Sequence, residues 1–211
     1  MFNQFLIDDE EPLLFHTGQK WLFPLLHEAM ARVIDPAKLK WITFGHYEAD
    51  ESGAMNDWLR VAPQAVIAHG TIGVRTSISD QADRPPKALN DGDILNLGSK
   101  RVRYIYTPHV PHGWDAGLIY EETTKTLFCS DLFTRLGDDG VTTDADIVTP
   151  ALTMEDHGHA TALTPNTAPT LRRLAQLDLD TLALMHAPAY TGNGSKALHD
   201  LANAYAARLG M

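Results

Sequence analysis

Short apolar runs separated by turns alternate along this chain with segments whose apolar residues recur every three or four positions. Residues 5–8 and 13–16 flank an acidic turn, which predicts a β-hairpin. Residues 19–34 carry apolar side chains at helical spacing, and Asp35-Pro36 ends that segment. The alternation predicts a mixed α/β fold.

The same patterns extend to the rest of the chain. They predict strands at 41–44, 65–68, 94–97, 101–107, 118–120, 127–129 and 182–185, and helices at 52–60, 167–177 and 196–209. Short turns join many of these strands, so at least part of the sheet should be antiparallel. Residues 136–167 are rich in Gly, Asp, Thr and Pro, which predicts a long loop or lid.

Composition narrows the class of protein. The 211 residues suit one domain, 1–211, with no repeat or linker. A net charge of −10 argues against a nucleic-acid or anionic membrane partner. The single cysteine, Cys129, lies in an apolar run and indicates a reducing compartment. Without a signal-like N-terminus or a run of ~20 apolar residues, we expect a cytoplasmic protein that does not cross a membrane.

The segment 45–51 concentrates metal-binding side chains. His46, Glu48 and Asp50 occupy alternate positions after the predicted strand 41–44. On an extended segment, alternate side chains project to one side, so one tight loop can direct an imidazole and two carboxylates at a common point. Glu51 could join them from the opposite direction.

Three further ligand-type residues follow predicted strands. His112 comes after 101–107, Asp131 after 127–129, and His186 directly after 182–185. Functional sites commonly lie at strand ends on a rigid scaffold. A solvated polar loop would explain 45–51 alone, but not ligand-type residues at four separate strand ends, which favours a metal site.

His46-x-Glu48-x-Asp50, followed by His112, Asp131 and His186, resembles the metallo-β-lactamase superfamily in its flavodiiron branch. The resemblance covers nearly the whole chain and includes the opening hairpin and the strand 127–129 that leads into the aspartate. It implies a four-layer αβ/βα sandwich, in which two mixed sheets are flanked by helices.

The resemblance also implies a dinuclear metal centre. One metal ion would be held by His46, Glu48 and His112, the other by Asp50 and His186, with Asp131 bridging the two. In the superfamily's hydrolases a second histidine occupies the position of Glu48, and the glutamate marks the iron-binding branch. Two iron ions are therefore expected, with zinc or manganese as alternatives, since imidazole and carboxylate suit all three.

Two positions depart from the branch. Glu51 stands where the branch often has a histidine, so it either replaces that histidine as a ligand or turns away and leaves water. His16 stands where the family commonly has an acidic residue before Thr-Gly, and the sequence offers no physical account of that change.

Four other histidines are also candidates for a place in or near the metal site. His109 is an alternative to His112, but the separation from His112 to Asp131 fits the family. His157 and His159 lie in the predicted lid, where they either line the site entrance or are solvated. His69 follows a predicted strand and could approach the edge of the site.

The resemblance implies functions related to dioxygen. The flavodiiron branch fuses this domain to a flavodoxin-like domain that carries FMN, and the chain ends at Met211 with no room for it. We therefore expect no FMN on this chain and a resemblance to stand-alone di-iron proteins that bind, sense or reduce dioxygen. A reductase would need a separate flavoprotein or rubredoxin-like electron donor, and a homodimer is expected by analogy only.

Two other functions stay open on the sequence. A dinuclear metal-dependent hydrolase would act on a small-molecule ester, thioester or phosphodiester through a metal-bound water. The superfamily resemblance favours it and Glu48 opposes it. A degenerate interaction module that binds metal weakly has only Glu51 in its support.

Overall fold

The computed structural model describes residues 1–137 and 140–211. Two β-sheets run through the middle of the molecule. The strands in chain order are β1 (Phe5–Ile7), β2 (Leu13–Phe15), β3 (Trp41–Thr43), β4 (Val66–Gly70), β5 (Lys87–Leu89), β6 (Ile94–Asn96), β7 (Arg101–Tyr106), β8 (Gly117–Glu121), β9 (Thr126–Phe128), β10 (Thr142–Thr143), β11 (Thr181–Ala183) and β12 (Ala189–Tyr190). One sheet has the order β1-β2-β3-β4-β5, and the other has the order β10-β12-β11-β9-β8-β7-β6.

Helices lie between the strands along the chain. They are α1 (Phe23–Ala31), α2 (Ala49–Ser52), α3 (Met55–Val61), α4 (Thr71–Gly73), α5 (Ser79–Gln81), α6 (Val148–Gly158), α7 (Thr167–Leu174) and α8 (Gly194–Arg208). A π-helical turn at Val74–Ile78 joins α4 to α5. Within residues 1–137 and 140–211, no helix combines the length and apolar character needed to cross a bilayer.

Three apolar clusters hold the layers together. The middle cluster joins the two sheets, with Phe15 from one and Tyr104 and Phe128 from the other. A second cluster packs α1 and α3 against the five-stranded sheet, and a third packs α6, α7 and α8 against the seven-stranded sheet. The predicted α/β sandwich of two mixed sheets flanked by helices is therefore confirmed.

Strand direction brings several strand ends to one edge. β9 is parallel to β11, and β8 is antiparallel to both β7 and β9, so β7, β9 and β11 run the same way. Their carboxyl ends therefore lie at one edge of the seven-stranded sheet. The loop after β3 meets this edge, because the Gly117 N–H donates to the Gly45 carbonyl at 2.8 Å.

Most predicted elements form, with several differences, among them the unpredicted strands β5 and β12 and the division of the predicted helix 52–60 into α2 and α3. The predicted helix 19–34 is a 3-10 turn at Lys20–Leu22 followed by α1. The segment 71–81 is helical, although its apolar pattern did not indicate a helix. The predicted loop 136–167 contains β10 and α6, and its residues 138 and 139 lie outside the described part.

A local cap explains the helix inside the predicted loop. Asp146 Oδ1 accepts the backbone N–H of Val148 at 2.8 Å and that of Thr149 at 3.3 Å, which satisfies donors that a helix start leaves free. Pro150 stands in the first turn, where proline does not disturb helical hydrogen bonds. The turn-forming composition of this segment thus belongs partly to a helix start.

Candidate metal centre

The loop after β3 presents His46 and Glu48 together, while Asp50 reaches the site by another route. Glu48 has extended backbone angles (φ −127°, ψ 159°), and α2 begins at Ala49. Asp50 therefore lies in the first turn of a helix. The predicted alternation along an extended loop holds for His46 and Glu48 only, and Asp50 faces His186 instead.

A glycine allows this loop to approach the seven-stranded sheet. A Cβ at Gly45 would lie 2.3 Å from Ser130 Oγ, closer than real atoms approach. Ser130 directly precedes Asp131, so the close approach places His46 beside that carboxylate. A larger residue at position 45 would separate the two strand ends that build the site.

Four ligand-type side chains converge at this edge. His46 Nε2 lies 3.5 Å from Glu48 Oε2 and 3.6 Å from Asp131 Oδ2. His112 Nε2 lies 3.2 Å from Glu48 Oε1 and 3.4 Å from Asp131 Oδ2. One ligand atom from each of the four residues lies within 4.8 Å of the others, a spacing that one metal ion can bridge.

A second group adjoins the first through Asp131. Its other oxygen, Oδ1, lies 3.0 Å from His186 Nε2, which in turn lies 3.4 Å from Asp50 Oδ2. The two oxygens of one carboxylate therefore face two separate sets of side chains. The group of four that could hold one metal ion contains Asp131 but neither Asp50 nor His186.

Charge is concentrated at this edge. Burial disfavours a negative charge on Asp131, yet the imidazoles of His186, His46 and His112 hold the pKa of its carboxyl below its ordinary value. Contact with His46 likewise lowers the pKa of Glu48. The carboxylates are therefore ionised at neutral pH, the state in which they bind metal.

Glu51 turns away from the other ligand-type residues. Its Oε2 accepts the backbone N–H groups of Gly45 at 2.6 Å and His46 at 2.8 Å, and its Oε1 accepts the Ser130 hydroxyl. Oε1 also lies 3.4 Å from both His46 Nδ1 and His16 Nε2. These contacts favour the alternative in which Glu51 turns away from the metal-binding side chains, and they place it behind the loop.

His16 and Glu51, the two residues that differ from the pattern of the flavodiiron branch, contact each other. His16 and Glu51 are both fully buried. Burial lowers the pKa of His16, while the nearby Glu51 carboxylate opposes that effect. The histidine in place of an acidic residue and the glutamate in place of a histidine thus form one buried pair behind His46.

His186 is held by the N-terminal segment. Its Nδ1 lies 2.9 Å from the Met1 carbonyl, and the Asn3 side-chain amide donates to the carbonyls of Leu184 and Ala187, each at 2.8 Å. These bonds fix the residues on either side of His186. No local pattern indicates this role of the first three residues, because the contact spans more than 180 positions.

His69 and Asp115 brace the site from the other side. His69 Nε2 lies 3.4 Å from Asp115 Oδ2, which accepts the Tyr47 backbone N–H at 2.9 Å. Asp115 therefore ties the loop that carries His112 to the loop that carries His46. His69 is buried and contributes through Asp115.

The remaining candidate histidines lie outside the cluster. His109, His157 and His159 are exposed, and His157 Nδ1 lies 2.8 Å from the Thr153 carbonyl of its own helix. None of the three belongs to the metal-binding group found in residues 1–137 and 140–211.

The chemistry of the donor set fits metal binding, with the group His46, Glu48, His112 and Asp131 close enough to share one ion. Three imidazoles and three carboxylates form a mixed nitrogen and oxygen donor set that suits iron, manganese or zinc. His46 Nε2 and Asp131 Oδ1 are buried, and although imidazole and carboxylate groups lie near them, neither atom makes a well-directed hydrogen bond with a described residue. Buried polar atoms normally have a partner, and a cation would supply one here.

This chemistry predicts that metal binding releases protons. Burial opposes a positive charge on His46, but the carboxylates of Glu51, Glu48 and Asp131 outweigh it and raise its pKa to about 9 in the metal-free protein. Burial likewise opposes the charge on His186, and Asp131 and Asp50 raise its pKa to about 10. Both imidazoles are therefore protonated at pH 7, and each must lose its proton to bind metal.

We expect Mn²⁺ binding to release protons from both groups, and affinity to fall by about tenfold per pH unit for each protonated imidazole as pH drops from 8.5 to 7. Calorimetry in buffers of different ionisation enthalpy measures the protons released. Binding without proton release at pH 7 would contradict the assignment of His46 and His186.

Comparison with known proteins places this geometry in a family. A family model described as "ODP family beta lactamase" matches residues 1–186. The chain belongs to this family. The match includes all six residues of the candidate metal centre.

Individual relatives of this ODP-family chain agree with the assignment. It is 29% identical over 135 residues to a putative diflavin flavoprotein A 1 of Nostoc sp., and 27% identical over 134 residues to the rubredoxin-oxygen oxidoreductase of Megalodesulfovibrio gigas. Each match covers 63% of this chain, but only 23% and 33% of the respective relative. The aligned part of the chain therefore spans a third or less of the length of these relatives.

Solved structures share the fold. The rubredoxin oxygen:oxidoreductase of Desulfovibrio gigas aligns with a TM-score of 0.81 at 21% identity, over 96% of this chain and 53% of that one. The chemotaxis sensor ODP, solved as a peroxy di-iron species, aligns with a TM-score of 0.78 at 23% identity. That alignment covers 94% of this chain and 84% of the sensor.

Proposed function

We propose that this ODP-family chain, folded as one domain over residues 1–211, is a di-iron protein that binds, senses or reduces dioxygen. The observation that carries the proposal is the position of Asp131, whose two oxygens face two separate groups of ligand-type side chains. A site built for one metal ion would not need both.

The ligand roles follow from the contacts. His46, Glu48 and His112 would hold one iron ion on the Oδ2 side of Asp131, and Asp50 and His186 the other on its Oδ1 side. Because Glu51 is engaged behind the loop, it adds no ligand to the second ion.

Bound iron would supply electrons and open coordination positions for dioxygen. The chain's own contribution is to hold the ligands before metal arrives. Glu51 and Ser130 orient His46, the Met1 carbonyl orients His186, and Asp115 ties the two ligand loops together. Such outer contacts fix the tautomer and direction of metal-binding imidazoles.

Relatives support the link to dioxygen. One is named a rubredoxin-oxygen oxidoreductase, and the sensor ODP was solved with a peroxy di-iron species. If this chain reduces dioxygen, a separate flavoprotein or rubredoxin-like protein would supply the electrons. If it senses dioxygen, binding itself would be the signal.

Anaerobic loading with Fe²⁺ tests the proposal. We expect two iron ions per chain by elemental analysis, and a new near-ultraviolet to visible absorption band when air-saturated buffer is added. His186→Ala should lose about one iron and the band, because it removes a ligand of the second ion only. His157→Ala, which removes an exposed histidine outside the site, should behave as the wild type.

The same preparation distinguishes a di-iron protein from a metal-dependent hydrolase. Two zinc ions that iron cannot displace, together with turnover of an ester or phosphodiester, would support metal-dependent hydrolysis instead. An iron-loaded protein whose spectrum does not respond to air would also overturn the proposal.

A further inference from the structure

His112 differs from the other two histidines of the candidate metal centre in the hydrogen bonding of its Nδ1 atom. His46 Nδ1 lies 3.3 Å from Ser130 Oγ, and His186 Nδ1 lies 2.9 Å from the Met1 carbonyl. His112 Nδ1 is buried and forms no hydrogen bond with any described residue. Metal-bound imidazoles almost always donate this N–H to a carboxylate, a carbonyl or water, so His112 needs a partner of another kind.

A small cavity lies next to His112, beneath helix α6. About 20 Å³ of it is open to the centre of a water molecule. One ordered water needs roughly 10–15 Å³ by this measure, together with two to four polar partners. The polar residues that line the cavity are His112, Asp131, Thr134, Glu155, Thr161 and Tyr205. Its size and lining therefore suit one ordered water.

Glu155 brings a carboxyl group to this cavity from α6. The residue is only 4% exposed. Its Oε2 accepts the Thr161 backbone N–H at 2.9 Å, and Thr161 Oγ1 lies 3.2 Å from the Tyr205 hydroxyl. Glu155 also lines the cavity, together with His112. A carboxylate oxygen accepts more than one hydrogen bond, so a water in this cavity can donate to Glu155 while it accepts from His112.

We propose that an ordered water in this cavity accepts the His112 Nδ1–H and donates to Glu155, which makes Glu155 a positioning residue of the metal centre. The inference rests on the proposed function, since it takes His112 as a metal ligand. Through these hydrogen bonds, helix α6 is connected to the metal centre. Glu155 itself touches neither metal nor substrate.

The test uses the wild-type protein and Glu155→Gln, both loaded with Co²⁺. Glutamine keeps the shape and an oxygen for the Thr161 N–H, but replaces the charged acceptor. We expect Co²⁺ affinity to fall by about tenfold. In the paramagnetic proton NMR spectrum, the exchangeable N–H signal of one metal-bound imidazole, that of His112, should shift and exchange faster with solvent. The signals of His46 and His186 should not move.

Two further variants make the result specific. Asp156→Asn changes a neighbouring acidic side chain that is 64% exposed, and should alter neither affinity nor spectrum. Ala151→Val fills the cavity from its apolar side with Glu155 intact, and should move the same N–H signal. Urea unfolding of the metal-free proteins shows whether each variant is folded.

The outcomes separate this inference from the proposed function. If wild-type protein binds two Co²⁺ ions and Glu155→Gln matches it in affinity and N–H spectrum, Glu155 has no positioning role while the dinuclear site stands. If Glu155→Gln moves all imidazole signals equally, its effect is a general loosening and the inference is wrong. If the wild type binds no Co²⁺, both proposals fall.

Discussion

Asp131→Ala should remove both metal ions, because Asp131 is the one residue of the cluster whose oxygens face both groups of ligands. The carboxylate is 12% exposed and lies among three imidazoles, so no other side chain of the cluster can take its place. We expect metal content to fall from two ions per chain to well below one, with the affinity of any residual site reduced by at least about 100-fold. Elemental analysis after dialysis against a weak chelator measures this.

Matched variants separate loss of a ligand from loss of the fold. Asp144→Ala removes an exposed aspartate and should keep both ions. Asp131→Asn preserves shape and volume but removes the charge, and should still bind metal poorly. Circular dichroism of the metal-free variants should match the wild type. Two tightly bound ions in Asp131→Ala would contradict both the bridging role and the dinuclear assignment.

The candidate centre could be predicted from the sequence where a ligand follows an apolar strand directly. Asp131 and His186 come just after β9 and β11, which are parallel neighbours, so strand direction alone brings them to one edge. His46 follows β3 in the other sheet. The apolar runs that identify these strands also determine where their ends lie, which is why these positions could be read from the pattern.

Positions set by helix starts or by distant contacts could not be predicted in this way. Asp50 faces His186 because α2 begins at Ala49, and the alternation of residues 46, 48 and 50 does not show that change of direction. Glu155 lies in a segment whose composition predicts a loop, so the sequence pattern did not indicate that it is buried. Its burial depends on packing beneath α6 and on the Thr161 N–H, neither of which leaves a periodic signal.

The pairing of His16 with Glu51 shows the same limit more clearly. Each residue departs from the pattern of the flavodiiron branch, and in the sequence the two departures look unrelated. The structure places His16 Nε2 3.4 Å from Glu51 Oε1, with both side chains fully buried. A pair separated by 35 positions leaves no local trace, so only the folded chain shows that the two residues are in contact.

Glu51→Ala should therefore destabilise the protein before it affects any metal. The carboxylate accepts two backbone N–H groups and the Ser130 hydroxyl at a site with no exposure to solvent. Truncation would leave these buried donors without acceptors, and each such loss costs roughly 1–3 kcal/mol. Because it also leaves the facing histidines without their carboxylate, we expect the free energy of unfolding of the metal-free protein to fall by about 3–5 kcal/mol in urea titrations.

The matched control is Glu28→Ala, which removes an exposed glutamate paired with Arg32 and should cost less than about 0.5 kcal/mol. Glu51→Gln retains the shape and one acceptor, so its loss should be smaller than that of alanine. In the metal-loaded protein, Glu51→Gln should weaken the ion held by His46, since His46 loses its support, and leave the ion held by Asp50 and His186 nearly unchanged. The reverse result, in which the metal-free fold is unaffected and only the second ion is lost, would show that Glu51 is a ligand after all.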